Sequence, residues 1–232
     1  MSTVAFAVPP KVAVDVGHGL SDTGATSARG RSEFAFNLDL AKLLVGVMRE
    51  HELDVIKVNF DGQINKLVER PLQAHGSHFF LSIHHDSISE SFLEGWDWDG
   101  SEQHFTTVKR GFGLFVSSRN PDLPTSLRCA SAMGLALREV GFVPTAWHGR
   151  KHLPADAENG VWYYDNLVVL HRTILPAVLF EAGVIKHREE ELELLDPARQ
   201  QRMSEALTQG LKTCLPAKGK PAPVSGRPQN VP

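Results

Sequence analysis

The chain has 232 residues, of which 42% are hydrophobic and 22% are charged, a composition typical of one globular domain with a substantial core. The formal net charge is −3, so the sequence lacks the basic excess of nucleic-acid-binding proteins, and we expect no nucleic-acid partner. No apolar run is long enough to span a bilayer, and the first residues show neither the basic nor the long apolar segment of a secretory signal.

The first half of the chain alternates short apolar runs with amphipathic stretches. A β-branched run at 11–16 predicts a buried strand, and the Gly-, Ser- and Thr-rich stretch 17–30 predicts a loop. Ser32 is placed to cap a helix at 33–52, where apolar residues recur at helical spacing. The pattern then predicts, in order, a strand at 54–60, a short helix at 70–76 with a proline in its first turn, and a strand at 79–84.

The second half continues the alternation with longer polar segments between the elements. It is predicted to contain, in order, a polar stretch at 86–110, a strand at 113–117, a helix at 125–140, an aromatic and polar segment at 142–166, a helix or turn at 168–175, a strand at 177–181, and a last helix from 197 to about 215 behind an N-cap at Asp196. The segment 142–166 is long for a loop, so we expect substrate contacts from it. Strands that alternate with helices predict an α/β sandwich built on a mostly parallel sheet.

The C-terminal segment 216–232 differs in composition from the rest of the chain. It is rich in proline and holds almost no large apolar residue, so it cannot bury enough surface to offset the entropy of ordering. We therefore expect an N-terminal extension at 1–10, one folded domain at 11–215, and a disordered tail at 216–232.

The two cysteines, Cys129 and Cys214, lie in separate helical patterns far apart in the sequence. Two cysteines in a chain of this length do not form a disulfide framework, and neither belongs to a CxxC motif. The sequence therefore predicts two buried free thiols.

Four ionisable side chains stand where strands and a helix begin or end. His18 follows the first strand, His84 ends the third, and Glu181 ends the last; ligands of open α/β sheets bind beyond the carboxyl ends of the strands. Glu33 opens the first helix. Two histidines and a carboxylate are a ligand set of catalytic zinc that leaves a position for water, and a further carboxylate can act as general base and acid.

Each of these residues also has an ordinary structural explanation. A single histidine in a loop is often only polar surface, and Glu33 can simply favour the helix dipole. His84 and Glu181 are harder to explain in this way, because the apolar strands before them predict that both are partly buried. The residues by themselves leave both explanations open.

Four sequence blocks carry a resemblance to a known family. VDVGHGLSDTGA, SEFAFNLDLAKLL, SIHHD and PAVLFEAGVI resemble the successive motifs of the zinc-dependent N-acetylmuramoyl-L-alanine amidases of the amidase-3 family. The resemblance extends from Val12 to Leu211. It implies a three-layer α/β/α sandwich around a mixed, mostly parallel six-stranded sheet, and a catalytic amidase domain at 11–215. It also implies one zinc ion held by His18, Glu33 and His84, with Glu181 as the catalytic acid–base.

The sequence departs from the family pattern at three positions. Val16 stands where a proline usually precedes the GHG block, and His187 stands where asparagine is typical. His85 follows SIH where a small residue is common; we expect it at the surface, although it could also orient a ligand or touch the substrate. The region 87–176 matches loosely, so the sequence gives no role to His148 or His152.

The resemblance implies hydrolysis of the amide between N-acetylmuramic acid and L-alanine in peptidoglycan, with muramyl peptides as the partners. It also implies action in the cell wall, periplasmic or extracellular, by a monomer. A zinc carboxypeptidase is a weaker alternative, because its first two ligands form HxxE, whereas Glu33 lies fifteen residues after His18. The other alternative is a non-catalytic wall-binding homologue, which would be expected to lose one of the four residues.

Overall fold

A computed structural model describes residues 9–215, apart from the side chain of Arg150. The first part of the chain contains β1 (Lys11–Val16), α1 (Glu33–Glu50), β2 (Asp54–Val58), a 3-10 turn (Leu67–Glu69), α2 (Arg70–Gln73), β3 (Phe79–Asp86), a 3-10 turn (Glu90–Phe92), β4 (Glu94–Trp98) and β5 (Ser101–Phe105). The second part contains β6 (Gly113–Val116), α3 (Leu123–Glu139), a 3-10 turn (His148–Arg150), β7 (Pro154–Asp156), β8 (Val161–Tyr163), α4 (Val168–His171), β9 (Ala177–Val184), α5 (Glu190–Leu194) and α6 (Pro197–Cys214).

Seven strands form the central sheet, in the order β2-β1-β3-β9-β6-β8-β7. Neighbouring strands run parallel, except that β6 runs antiparallel to β9 and β7 antiparallel to β8. The prediction of a mixed, mostly parallel sheet is therefore confirmed. The sheet has seven strands and not the six implied by the family resemblance, because the three-residue strand β7 pairs with β8 and adds a further strand at the edge.

The two faces of the sheet are covered unequally. On one face, alternate strand residues such as Val14, Leu81 and Phe180 join a large core with α1, α3 and α6. On the other face, a smaller core including Ala13, Phe80 and Leu179 lies under the short elements around α2 and α4. Because side chains alternate between the faces of a strand, His84 and Glu181 project from this second face, where both are only partly buried.

Most of the predicted helices and strands are present, but some begin or end at other residues than predicted. Strands β3 and β9 continue to Asp86 and Val184, so both are longer than predicted. Ser32 occupies the N-cap position of α1 without a side-chain capping bond. Asp196 does cap α6, because its carboxylate accepts a hydrogen bond from the Ala198 backbone N–H at 3.0 Å.

The long polar segments contain structure that periodicity did not reveal. The predicted polar stretch 86–110 includes an antiparallel two-stranded ribbon, β4–β5, and the predicted loop 142–166 includes β7 and β8. These strands are three to five residues long, and alternation over so few residues is too weak a signal to separate them from loops.

The prediction of two free thiols is wrong. Cys129 in α3 and Cys214 in α6 are both buried, as expected, but they form a disulfide with their Cα atoms 5.1 Å apart. The reason is that α3 and α6 pack against each other although 85 residues separate the two cysteines in sequence, and such a contact cannot be read from either helical pattern.

Three expectations concern the ends of the chain and membranes. Most of the expected N-terminal extension (residues 1–8) and the whole predicted tail (216–232) lie outside the described residues. Within 9–215, no helix is long and apolar enough to cross a bilayer.

Candidate active site

His84 and Glu181 are paired directly across two neighbouring parallel strands. His84 of β3 is in register with Glu181 of β9, and residues paired in this way project from the same face of a sheet. The two side chains lie on the thinly covered face, near the carboxyl ends of their strands. The predicted convergence of these residues at one edge of the sheet is therefore present, although both lie within strands and not at their last residue.

Glu33, the first residue of α1, joins the two histidines. Its Oε2 lies 3.1 Å from His18 Nε2, and its Oε1 lies 3.0 Å from His84 Nδ1. Burial disfavours the charged form of Glu33, but hydrogen bonds to the two histidines outweigh that effect and hold the pKa of the carboxyl far below its usual range. Glu33 is therefore an anion at neutral pH, as a metal-binding carboxylate needs to be.

The turn after β1 brings His18 back over the sheet edge. His18 has a φ of 63°, in the left-handed region that side-chain-bearing residues seldom adopt. Its carbonyl accepts hydrogen bonds from Asn59 Nδ2, at 2.6 Å, and from Arg70 Nη2. Arg70 is itself buried and donates to the Val16 carbonyl at 2.6 Å, so two buried polar side chains hold the turn in this conformation.

Two glycines leave the space that the histidine rings occupy. A Cβ on Gly17 would lie 2.3 Å from the ring of His84, and a Cβ on Gly24 would lie 2.7 Å from both the His18 ring and a Glu33 oxygen. Gly24 also has a φ of 72°. The glycines of the GHG and TGA blocks thus allow the three side chains to approach one another.

Glu181 lies beside this cluster, on the same face of the sheet as His84. Its Oε2 is buried and has no hydrogen-bond partner among the described residues. Burial, together with the negative charges of Asp86 and Glu33, raises the pKa of Glu181 well above its usual value. Two carboxyl groups close in space therefore differ strongly in proton affinity, an arrangement that is typical of acid–base chemistry.

All four predicted residues open onto one cleft of about 580 Å³. Its lining combines the polar groups with an apolar wall contributed by Ile64, Leu67, Val168, Val169 and Leu179. Ile64 and Leu67 precede α2, Val168 and Val169 lie in α4, and Leu179 lies in β9. A concave cleft in which several ionisable groups converge beside an apolar wall is suited to binding a substrate.

The structure adds residues that sequence reasoning missed or placed wrongly. The expectation that His85 lies at the surface is wrong: it is buried, and its Nδ1 lies 2.8 Å from Asn37 Oδ1. Asp86 lines the cleft, and its Oδ2 lies 3.2 Å from Nε2 of the buried His148. The position of Asp86 two residues after His84 was a usable signal, whereas nothing in the sequence pointed to His148.

The donor set of the cluster fits a metal ion. The ligand atoms of His18, Glu33 and His84 all lie within 4.8 Å of one another, close enough for one ion to lie between them. Two imidazoles and a carboxylate, with a further carboxyl group nearby, are typical of metal-dependent hydrolases. The fold and this arrangement therefore define the class of protein: an enzyme on an α/β fold whose His/Glu cluster is a candidate metal site.

Comparisons with known proteins give the family. Residues 12–213 match the sequence model of the Amidase_3 family, described as N-acetylmuramoyl-L-alanine amidase. The chain belongs to this family, and the predicted enzyme class, a peptidoglycan amidase, is confirmed. None of the curated proteins matches the sequence at a significant level.

Solved structures of similar fold agree with this assignment. An N-acetylmuramoyl-L-alanine amidase from Clostridium difficile 630 is 20% identical with a TM-score of 0.71, over 89% of this chain and 97% of that one. The amidase Ami1 from Mycobacterium smegmatis is 18% identical with a TM-score of 0.71, over the same shares of the two chains. The catalytic domain of CwlV from Bacillus (Paenibacillus) polymyxa var. colistinus is 23% identical with a TM-score of 0.63, over 88% and 97%. At these identities the likeness shows the fold.

Proposed function

We propose that this protein is a zinc-dependent enzyme that hydrolyses the amide bond between N-acetylmuramic acid and the L-alanine of the peptide stem. The observation that carries the proposal is the pairing of His84 with Glu181 in one register of the sheet, beside the cluster of His18, Glu33 and His84. This pairing sets a candidate proton carrier directly next to the candidate metal ligands.

His18, Glu33 and His84 are the proposed ligands of one zinc ion. When bound, zinc supplies a Lewis acid and lowers the pKa of water that it contacts toward neutrality. The residues themselves fix the geometry. Glu33 contacts both histidines, and its own position is held by the start of α1 and by a hydrogen bond of 3.2 Å from the Ala25 backbone N–H.

Glu181 is the proposed general base and acid. It removes a proton from the attacking water as the new C–O bond forms, and it then delivers that proton to the amide nitrogen as the C–N bond breaks. Burial and the neighbouring negative charges raise its pKa above the usual value, so its carboxylate is a stronger base than that of an exposed glutamate. Its Oε2 atom has no hydrogen-bond partner among the described residues, which supports a role in binding the substrate or the attacking water.

The disulfide supports a site of action outside the cytoplasm. Disulfides persist in the periplasm and in extracellular space and are rare in the cytosol, and the Cys129–Cys214 bond links two packed helices of the core. Peptidoglycan lies in the same compartments. We therefore propose action in the cell wall, on peptidoglycan or its muramyl peptides. That the protein acts as a monomer is a separate part of the proposal.

Digestion of purified peptidoglycan tests the proposal. The enzyme should release peptides with new alanine amino termini and leave the glycan strands intact, which is measured by labelling new amines and identifying the labelled residue. A Glu181→Gln variant, which keeps the shape of the side chain, is the matched control. Release of single D-alanine would indicate a carboxypeptidase, no release would indicate a binding homologue, and new reducing sugar ends would indicate a glycosidase; each of these results contradicts the proposal.

A further inference from the structure

His148 occupies a space beside Glu181 that the sheet leaves open. Gly113 of β6 is paired with Glu181 of β9 in the antiparallel register, so a side chain at 113 would project from the same face as Glu181. Gly113 has no side chain, and a Cβ built there would lie 2.8 Å from His148 Cδ2 and 2.9 Å from His148 Nε2. The imidazole of His148 therefore packs directly over Gly113. It lies next to Glu181, on the side of Glu181 that faces away from His84.

The Nε2 atom of His148 faces the carboxylate of Asp86. His148 Nε2 is buried, has no hydrogen bond of good geometry to a described residue, and lies 3.2 Å from Asp86 Oδ2. The other Asp86 oxygen, Oδ1, accepts a hydrogen bond of 2.8 Å from the Ser87 backbone N–H. Asp86 lines the same cleft as Glu181 and is close enough for its charge to affect that residue.

We infer that His148 is a positioning residue of the active site, which holds the Asp86 carboxylate beside Glu181. Three side chains then form a row across the sheet: His84 on β3, Glu181 on β9, and His148, which fills the space over Gly113 on β6. This inference rests on the proposed function of Glu181 as acid–base. His148 Nε2 on one side and the Ser87 backbone N–H on the other hold the two oxygens of Asp86, so that the carboxylate does not turn away into the cleft.

Packing by itself gives a different expectation for this histidine. The ring of His148 also contacts Phe115, with ring centroids 4.7 Å apart, so it fills space in the smaller core. His152 contacts the same Phe115 ring at 5.2 Å and is only partly buried. A purely space-filling role would be met equally well by an apolar residue, whereas the positioning role requires an N–H at the place of Nε2.

Paired substitutions separate the two roles. His148→Leu keeps bulk and removes the donor, while His148→Gln keeps an N–H near the position of Nε2. We expect His148→Leu to lower kcat about 10-fold or more, as loss of an orienting partner usually does, with KM, zinc content and melting temperature unchanged. His148→Gln should recover most of the rate. The control His152→Leu should leave kcat unchanged.

The outcomes distinguish this inference from the proposed function. If the wild-type enzyme releases no alanine amino termini, the proposed function fails, whatever His148 does. If the wild type is active and His148→Leu retains more than half of its kcat, or loses rate only together with zinc or melting temperature, the positioning role is overturned. Gly113→Ala is a second variant, because its Cβ displaces the imidazole without removing it; wild-type kcat in this variant would also overturn the inference.

Discussion

Asn37 links all three proposed metal ligands, and its removal is therefore expected to weaken metal binding. It lies one turn after Glu33 on α1, and its Nδ2 donates to Glu33 Oε1 at 3.3 Å and to the Gly17 carbonyl at 3.1 Å. Its Oδ1 accepts from His85 Nδ1 at 2.8 Å. His85 follows His84 directly, and Gly17 precedes His18, so one buried amide ties the segments that carry the ligands.

The structure allows the cost of Asn37→Ala to be worked out. The variant removes the side-chain donor from Glu33 and from Gly17, and it leaves the His85 N–H buried without an acceptor, which costs about 1–3 kcal/mol of unfolding free energy. Loss of a partner that orients a metal ligand weakens metal affinity about 10- to 100-fold. In the double variant Asn37→Ala/His85→Ala no orphan donor remains, so the loss of stability should be smaller than the sum of the two single losses.

Metal affinity is measured by competition with a chromophoric chelator, and stability by urea unfolding of the metal-free protein. Asn120→Ala is a matched control, because Asn120 is also a buried asparagine, with Nδ2 donating to the Leu170 and Leu175 carbonyls at 2.7 and 3.0 Å, but it does not line the cleft. It should lose stability and keep its metal affinity. A metal affinity within about twofold of wild type in Asn37→Ala, against the expected 10- to 100-fold loss, would refute the reasoning.

Three further predictions follow from the site and the fold. Elemental analysis of dialysed protein should find about one zinc per chain, because three ligands suffice for a catalytic site, and a His18→Ala/His84→Ala variant should lose it; undiminished zinc in that variant would place the site elsewhere. Glu181→Gln should retain zinc and lose about 10²- to 10⁴-fold in rate, and retention of a third of the activity would rule out Glu181 as the base. Reduction of the Cys129–Cys214 disulfide, which closes a span of 85 residues, should lower the unfolding free energy by about 2–4 kcal/mol, seen as a lower urea midpoint that Cys129→Ala/Cys214→Ala reproduces without reductant.

The sequence predicts those parts of this protein that depend on local pattern. The apolar strands 11–16, 79–84 and 177–181 and the long amphipathic helices were all predicted, because their periodicity extends over enough residues to be read. The convergence of His18, His84 and Glu181 was predicted from the rule that parallel strands present their carboxyl ends at one edge. The zinc and acid–base roles of the four residues stay predictions.

Features that depend on contacts between distant segments could not be predicted from the sequence. The disulfide needed the contact between α3 and α6, and the burial of His85 needed Asn37 to lie opposite it. Each of these side chains, taken alone, fits the commoner explanation of a free buried thiol or a surface histidine. In each case the commoner explanation failed because a partner far away in sequence satisfied the group's chemistry.

His148 illustrates why sequence motifs do not identify every residue of an active site of this fold. The proposed catalytic row runs across the strands, so its members are fixed by register: His84 is paired with Glu181, and Glu181 with Gly113. A motif search finds side chains that are present, but the position next to Glu181 on β6 is a glycine. The chemistry at that position comes instead from a 3-10 turn 35 residues later, His148–Arg150. A glycine paired with a catalytic residue is therefore itself a signal, because it marks a space for a side chain from elsewhere in the chain.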